Sequence, residues 1–149
     1  MAAGRLLAAI LAVLALCLAR PPELAYAAGQ GVVAVVNDQP ITERDVSQRI
    51  SLMQALGEER GAPVTRQAAL GMLVDDVIKR VEAKRYGMEA SDVEVTKQVE
   101  RLASGMKIGA DELIARLRKQ GITESAFRNY LAAQIGFNRL IASRYRNEI

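Results

Sequence analysis

The side chains best suited to contact chemistry in this sequence are Met53, Met72, Met88, Met106 and Tyr130. Methionine is unbranched and polarizable, so it either fills a core or forms a surface that accepts many apolar partners. Met53 and Met72 fall inside expected helices, Met88 and Met106 beside helix ends, and both readings stand at all four. Tyr130 adjoins the apolar Leu131 stripe and joins a greasy ring to a polar tip, which suits an amphipathic contact, whereas Phe127 is expected inward. The chemistry such groups could perform is non-covalent, contact with apolar partners.

Groups for making and breaking bonds are scarce. The 149 residues include no histidine, which removes the usual general base near neutral pH and the commonest metal ligand. Asp75 and Asp76 are adjacent, but Lys79 and Arg80 follow each at i,i+4, as do Arg116 after Glu112 and Arg128 after Glu124; these pairs mark solvated helix faces rather than a metal site. Ser91 is explained as a helix cap and Ser104 precedes Gly105 at a helix end, so neither reads as a nucleophile. Gly105 and Gly109 fall between helices and make no phosphate-binding loop. No catalytic residue, metal or cofactor is expected.

The start of the chain is an address. Arg5 precedes an apolar run from Leu6 to Leu18, and Ala25-Tyr26-Ala27 has the small-x-small form of a signal-peptidase site, so residues 1–27 read as a signal peptide. The run is shorter than the about 20 residues of a membrane span, and no second long apolar stretch follows, so no permanent span is expected. Leu16 stands before Cys17 where lipoprotein processing favours a small residue. Removal of residues 1–27 leaves no cysteine, and stability must then come from packing. The net charge is only +3, with acids and bases interspersed along the helices, which argues against nucleic acid as a partner.

Residues 28–149 form one domain's worth of chain, rich in Leu, Ile, Val, Met and Ala and without Trp. Val32–Val36 is a β-branched strand signal, and Asn37-Asp38-Gln39-Pro40 reads as the turn that ends it, with Ile41 adding a brief extended step. Thr42 caps a first helix to about Leu56, with the stripe Val46, Ile50, Met53, Leu56. Thr65 caps a second, Arg66 to Tyr86, whose Leu70, Leu73, Val74, Val77, Ile78 and Val81 mark it as the core helix. Ser91 and Glu94 form a capping box opening a third, which carries Val95, Val99 and Leu102. A shorter helix, Asp111 to Lys119, brings Leu113 and Leu117 together. Thr123 caps a last one, with Phe127, Leu131, Ile135 and Ile141 on one side, that is expected to run almost to Ile149. The expected fold is all-α: a bundle of about five helices with a short N-terminal β-strand and turn.

The segment Val32-Val33-Ala34-Val35-Val36-Asn37-Asp38-Gln39-Pro40-Ile41-Thr42-Glu43-Arg44-Asp45-Val46 resembles the opening of the SurA-type periplasmic chaperones and their parvulin-linked relatives. Leu73 to Gly87, Ser91 to Leu102 and Gly121 to Ile141, with its Ile-Thr start and Phe127-Arg128, are similar to their following helices. The resemblance implies a periplasmic helical domain that binds unfolded outer-membrane polypeptides, favouring aromatic-rich segments, without nucleotide. Family members usually continue into histidine-bearing parvulin domains and a closing segment, and this sequence ends at Tyr145-Arg146-Asn147-Glu148-Ile149, so no isomerase activity is expected of it. If the Val32–Val36 strand normally pairs with that segment, its edge is open to self-association.

Overall fold

The computed structural model describes residues 31–57 and 63–145. The expected signal peptide, with its Ala25 and Ala27 cleavage motif, and the last residues of the expected final helix lie outside them.

The described chain opens with a two-stranded antiparallel hairpin, β1 (Val32–Val36) and β2 (Gln39–Thr42). Asn37 and Asp38 both adopt positive φ, 47° and 62°, as a two-residue hairpin turn that follows strand twist requires. The turn is therefore shorter than the expected four residues: Gln39 and Pro40 belong to β2 and pair with Val36 and Val35. Proline is tolerated there because β2 is an edge strand. Ile41, 3% exposed, pins the hairpin to the helices.

Five helices follow: α1 (Glu43–Ala55), α2 (Arg66–Arg85), α3 (Asp92–Gly105), α4 (Ala110–Lys119) and α5 (Glu124–Arg144). Their starts are chemically explicit. Thr42 and Ser91 form complete capping boxes with Asp45 and Glu94, and Thr65 and Thr123 accept from the amides of Ala68 and Ala126. At the end of α2, Met88 N–H donates to Ala83 O and Gly87 N–H to Lys84 O, a Schellman arrangement that needs Gly87 at its φ of +65°. Thus Met88 closes a helix end.

The main core is built from α1, α3, α4 and α5 around Leu52, Met53, Val95, Val99, Leu113, Leu117, Ile122, Phe127 and Leu131, with Phe127 fully buried. A smaller cluster under the hairpin joins Ile41, Val46, Ala69 and Val77. Of the six expected stripe residues of α2, Val77 is buried in this cluster and Leu70, Leu73, Val74 and Val81 pack against it, while Ile78 is 45% exposed. Apolar residues spread too far around α2 for its neighbours to cover. On α5 the buried residue near the C-terminus is Leu140 rather than Ile141, which is 40% exposed. Where α2 and α5 pack, Gly136 brings the backbones close: a Cβ there would stand 2.9 Å from Ala83 Cβ.

The expected i,i+4 ion pairs form only between Glu112 and Arg116, at 2.6 Å. Glu124 instead pairs with Arg118 at 2.9 Å, and Arg128 reaches Thr96 and the Asp92 carbonyl. Asp76 is not on a solvated face; it is 6% exposed.

Candidate functional site

A cleft of about 360 Å³ opens where β2, α1, α2 and α5 meet, inside the about 300–1,000 Å³ range typical of ligand sites. Its polar base is an ion pair between Arg49 of α1 and Asp76 of α2. The guanidinium carbon of Arg49 also lies 4.9 Å from the centroid of the Tyr130 ring on α5, within cation–π range. Gln134 Nε2 donates to the second Asp76 oxygen at 3.2 Å, and Lys79 Nζ stands 3.9 Å from it. Burial pushes the Asp76 carboxyl up from its ordinary value, and the adjacent Arg49, with Lys79 and Arg80 behind it, offsets only part of that push.

Local sequence explains why these groups converge. Arg49 stands three residues after Val46 and four before Met53, and Asp76 lies seven residues from both Ala69 and Ala83, so each charge sits on a buried helix face. Gln48, also buried, accepts from both the amide (2.8 Å) and the hydroxyl (2.7 Å) of Thr123, which ties α1 to the start of α5. Asp45 is committed to Thr42, accepting from its amide at 2.8 Å and its hydroxyl at 2.6 Å. On the outer wall Arg80 Nη2 donates to Gln39 Oε1 at 3.0 Å. The result is a cleft whose carboxylates all have donors and whose aromatic ring stands over a paired cation. Such a lining can hold polypeptide through hydrogen bonds and apolar contact.

Of the expected contact residues, only Tyr130 lines this cleft, half-buried on α5. Met53 is 3% exposed and packed in the main core, which is the core-filling of the two readings open to it. Met72, on α2, is 36% exposed and Met106, after α3, is 51% exposed, while Met88 is half-buried beyond α2. None of the four methionines lines the cleft, so the structure does not gather the five into one site. Sequence reasoning missed Arg49, Asp76, Gln48, Gln39 and Arg80. A signal existed: one charge set on each of two apolar stripes, of opposite sign, is what a buried pair requires. Among the described residues no cluster of three potential ligands could hold a metal ion, and no helix is long and apolar enough to cross a membrane.

Comparison with known proteins gives the same frame. Chaperone SurA of Bordetella avium (strain 197N) is 30% identical over 124 residues, covering 80% of this chain and 24% of that protein. Chaperone SurA of Burkholderia orbicola (strain AU 1054) is 32% identical over 114 residues, 73% of this chain and 25% of the relative. The Burkholderia lata (strain ATCC 17760) protein of the same name is 32% identical over 135 residues, 83% and 30% of the two chains. The chain thus spans between 24% and 30% of the length of these relatives. With the SurA-like N-terminal domain matching residues 2–141, and a helical bundle behind an N-terminal hairpin, the chain belongs to the SurA-like N-terminal domain family.

Proposed function

We propose that this chain is an ATP-independent chaperone module that binds unfolded outer-membrane polypeptides in the periplasm, after export and removal of residues 1–27, and that residues 28–149 are its working domain. The observation that carries the reading is the family match over residues 2–141, joined by relatives named as chaperones. The geometry is in keeping with it. A cleft with Tyr130 on one wall and paired charges at its base offers contacts that are numerous and individually weak, and weak contacts let a client leave without nucleotide. Met72, Ile78 and Met106 add exposed apolar area on the same domain. The role needs no chemical step, and the chain is expected to give no rate enhancement in a proline-isomerisation assay. The test is suppression of aggregation. The purified chain should slow aggregation of a denatured β-barrel protein and bind aromatic-rich peptides at micromolar concentration; failure at both ends the proposal. Recovery from a periplasmic extract with Ala28 as first residue would support the export step, and an unprocessed cytosolic product would refute it.

A second reading rests on β1, which has a single strand neighbour among the described residues and exposes Val32 (43%) and Val35 (63%). An open apolar edge invites strand pairing with a second copy. Sedimentation velocity decides: concentration-dependent dimers favour it, and a monomer throughout the concentration range excludes it.

A further inference from the structure

A hydrogen bond joins Arg80 to Gln39 where two clefts adjoin. Both residues line the 360 Å³ cleft and also a second one, of about 230 Å³, which continues along α2 past Lys84 toward Glu89. The bond between them, Arg80 Nη2 to Gln39 Oε1, is 3.0 Å long and exposed. It is a weak link, because a neutral amide oxygen holds a guanidinium less firmly than a carboxylate does. Arg80 has donors to spare. Its Nε is the one buried side-chain nitrogen or oxygen without a hydrogen-bond partner among the described residues. Asp76, one turn back on α2, forms its short contact with Arg49 instead.

We propose that the Gln39–Arg80 pair is a gate that receives the main chain of an extended polypeptide, whose carbonyl oxygen takes the Arg80 donors while an N–H group donates to Gln39 Oε1. Opening the pair joins the two clefts into one channel. The occupant follows from complementarity. Separating the pair frees a donor group and an acceptor, and every non-proline residue of an unfolded chain brings an acceptor and a donor, which in helices and sheets are already used. The charge of the channel favours a neutral guest: Asp45, Asp76 and Glu89 face Arg49, Arg80 and Lys84, equal in number. This inference deepens the polypeptide-binding reading and rests on it.

The test uses the purified chain and two fluorescent peptides of unrelated, aromatic-rich sequence, followed by anisotropy. Arg80→Met removes the donors and also the orphaned buried nitrogen, so the fold should survive; affinity for both peptides is expected to fall on the order of tenfold. Gln39→Glu replaces the weak link by an ion pair to Arg80, keeps the gate shut, and is expected to weaken both peptides while leaving the circular dichroism unchanged. Unaltered affinity in both variants overturns the gate while leaving polypeptide binding in place. Loss for one peptide only overturns main-chain recognition, since it points to a side-chain pocket. Absence of binding by the unmodified chain defeats the polypeptide-binding reading itself, and the gate with it.

Discussion

Arg49 of α1 and Asp76 of α2 are 27 residues apart in sequence and form an ion pair whose side chains are only 5% and 8% exposed. Two desolvated charges depend on each other more than they stabilise the fold, because attraction at best repays the loss of water. Asp76→Leu alone should therefore cost about 3–5 kcal/mol by stranding the Arg49 charge, whereas Arg49→Met with Asp76→Leu should lie within about 1 kcal/mol of the parent or above it. Urea unfolding of the two single variants and the double variant gives the coupling. Equal losses that simply add would show that the pair is not a unit.

The same carboxyl sets a pH dependence of unusual sign. Burial raises the Asp76 pKa above its unfolded value, and Arg49 reverses only part of this, so the folded state binds the proton more tightly than the unfolded chain. Its contribution to stability is then fully present below the ordinary aspartate range and is lost as pH rises through the raised folded value. Asp76→Asn cannot titrate. The stability difference between Asp76→Asn and the parent should shift in favour of the variant as pH is raised across that window. A difference that stays flat across it would mean that burial has not moved this group.

Glu94 behaves in the opposite way. Hydrogen bonds from the Ser91 amide and hydroxyl hold its carboxyl below the usual glutamate value, with Arg139 adding to the effect. Stability from this box is present above the unfolded glutamate value and lost as pH falls through the lowered folded one. Ser91→Ala removes the hydroxyl that accepts from the Glu94 amide, and cap losses of this kind run about 0.5–2 kcal/mol. The variant should lose less on acidification than the parent, read as a smaller drop in melting temperature between neutral and acidic buffer.

These features differ in how far they could be read beforehand. The caps at Thr42, Thr65, Ser91 and Thr123 were legible because the groups that satisfy them lie three residues away in the chain. The exposed side of α2 was not, since periodicity marks where apolar residues fall and not how many a neighbour covers; Ile78 carries the pattern and remains 45% exposed. Asp76 is hidden for a related reason. Its i,i+4 relation to Arg80 is local and visible, while its partner Arg49 lies on another helix. The cleft walls at Gln39 and Arg80 depend on a hairpin whose turn is two residues shorter than its composition suggested.

Lys107 offers a gain in stability. It follows α3 with φ of +58°, where its N–H donates to Ser104 O at 2.9 Å and the next amide, of Ile108, reaches Ala103 O at 3.0 Å. A side chain in this left-handed conformation costs about 1–2 kcal/mol, which glycine avoids, although glycine gives back part through a freer unfolded chain. Lys107→Gly is expected to raise the melting temperature by a few degrees, equivalent to roughly 0.5–1 kcal/mol. A lower melting temperature would mean that the end of α3 is not held in this geometry.

Tyr130 is the residue through which the binding proposal is most directly tested. Its ring lies 4.9 Å from the Arg49 guanidinium and lines the cleft, whereas Met53, an expected contact residue on α1, is 3% exposed in the core. If clients rest in this cleft, Tyr130→Ala removes contact area and a polar tip together, and a loss of about 1–2 kcal/mol in peptide affinity follows, roughly five- to thirtyfold. Tyr130→Phe keeps the ring over Arg49 and should retain most of the affinity. Met53→Leu conserves volume in the core and should leave affinity unchanged, at a stability cost under about 1.5 kcal/mol. The opposite ranking, with Met53→Leu or Met106→Ala weakening peptides and Tyr130→Ala without effect, would move the binding surface away from the cleft. In that case the exposed apolar residues Met72, Ile78 and Met106, rather than the wall beside Arg49, would carry the contact.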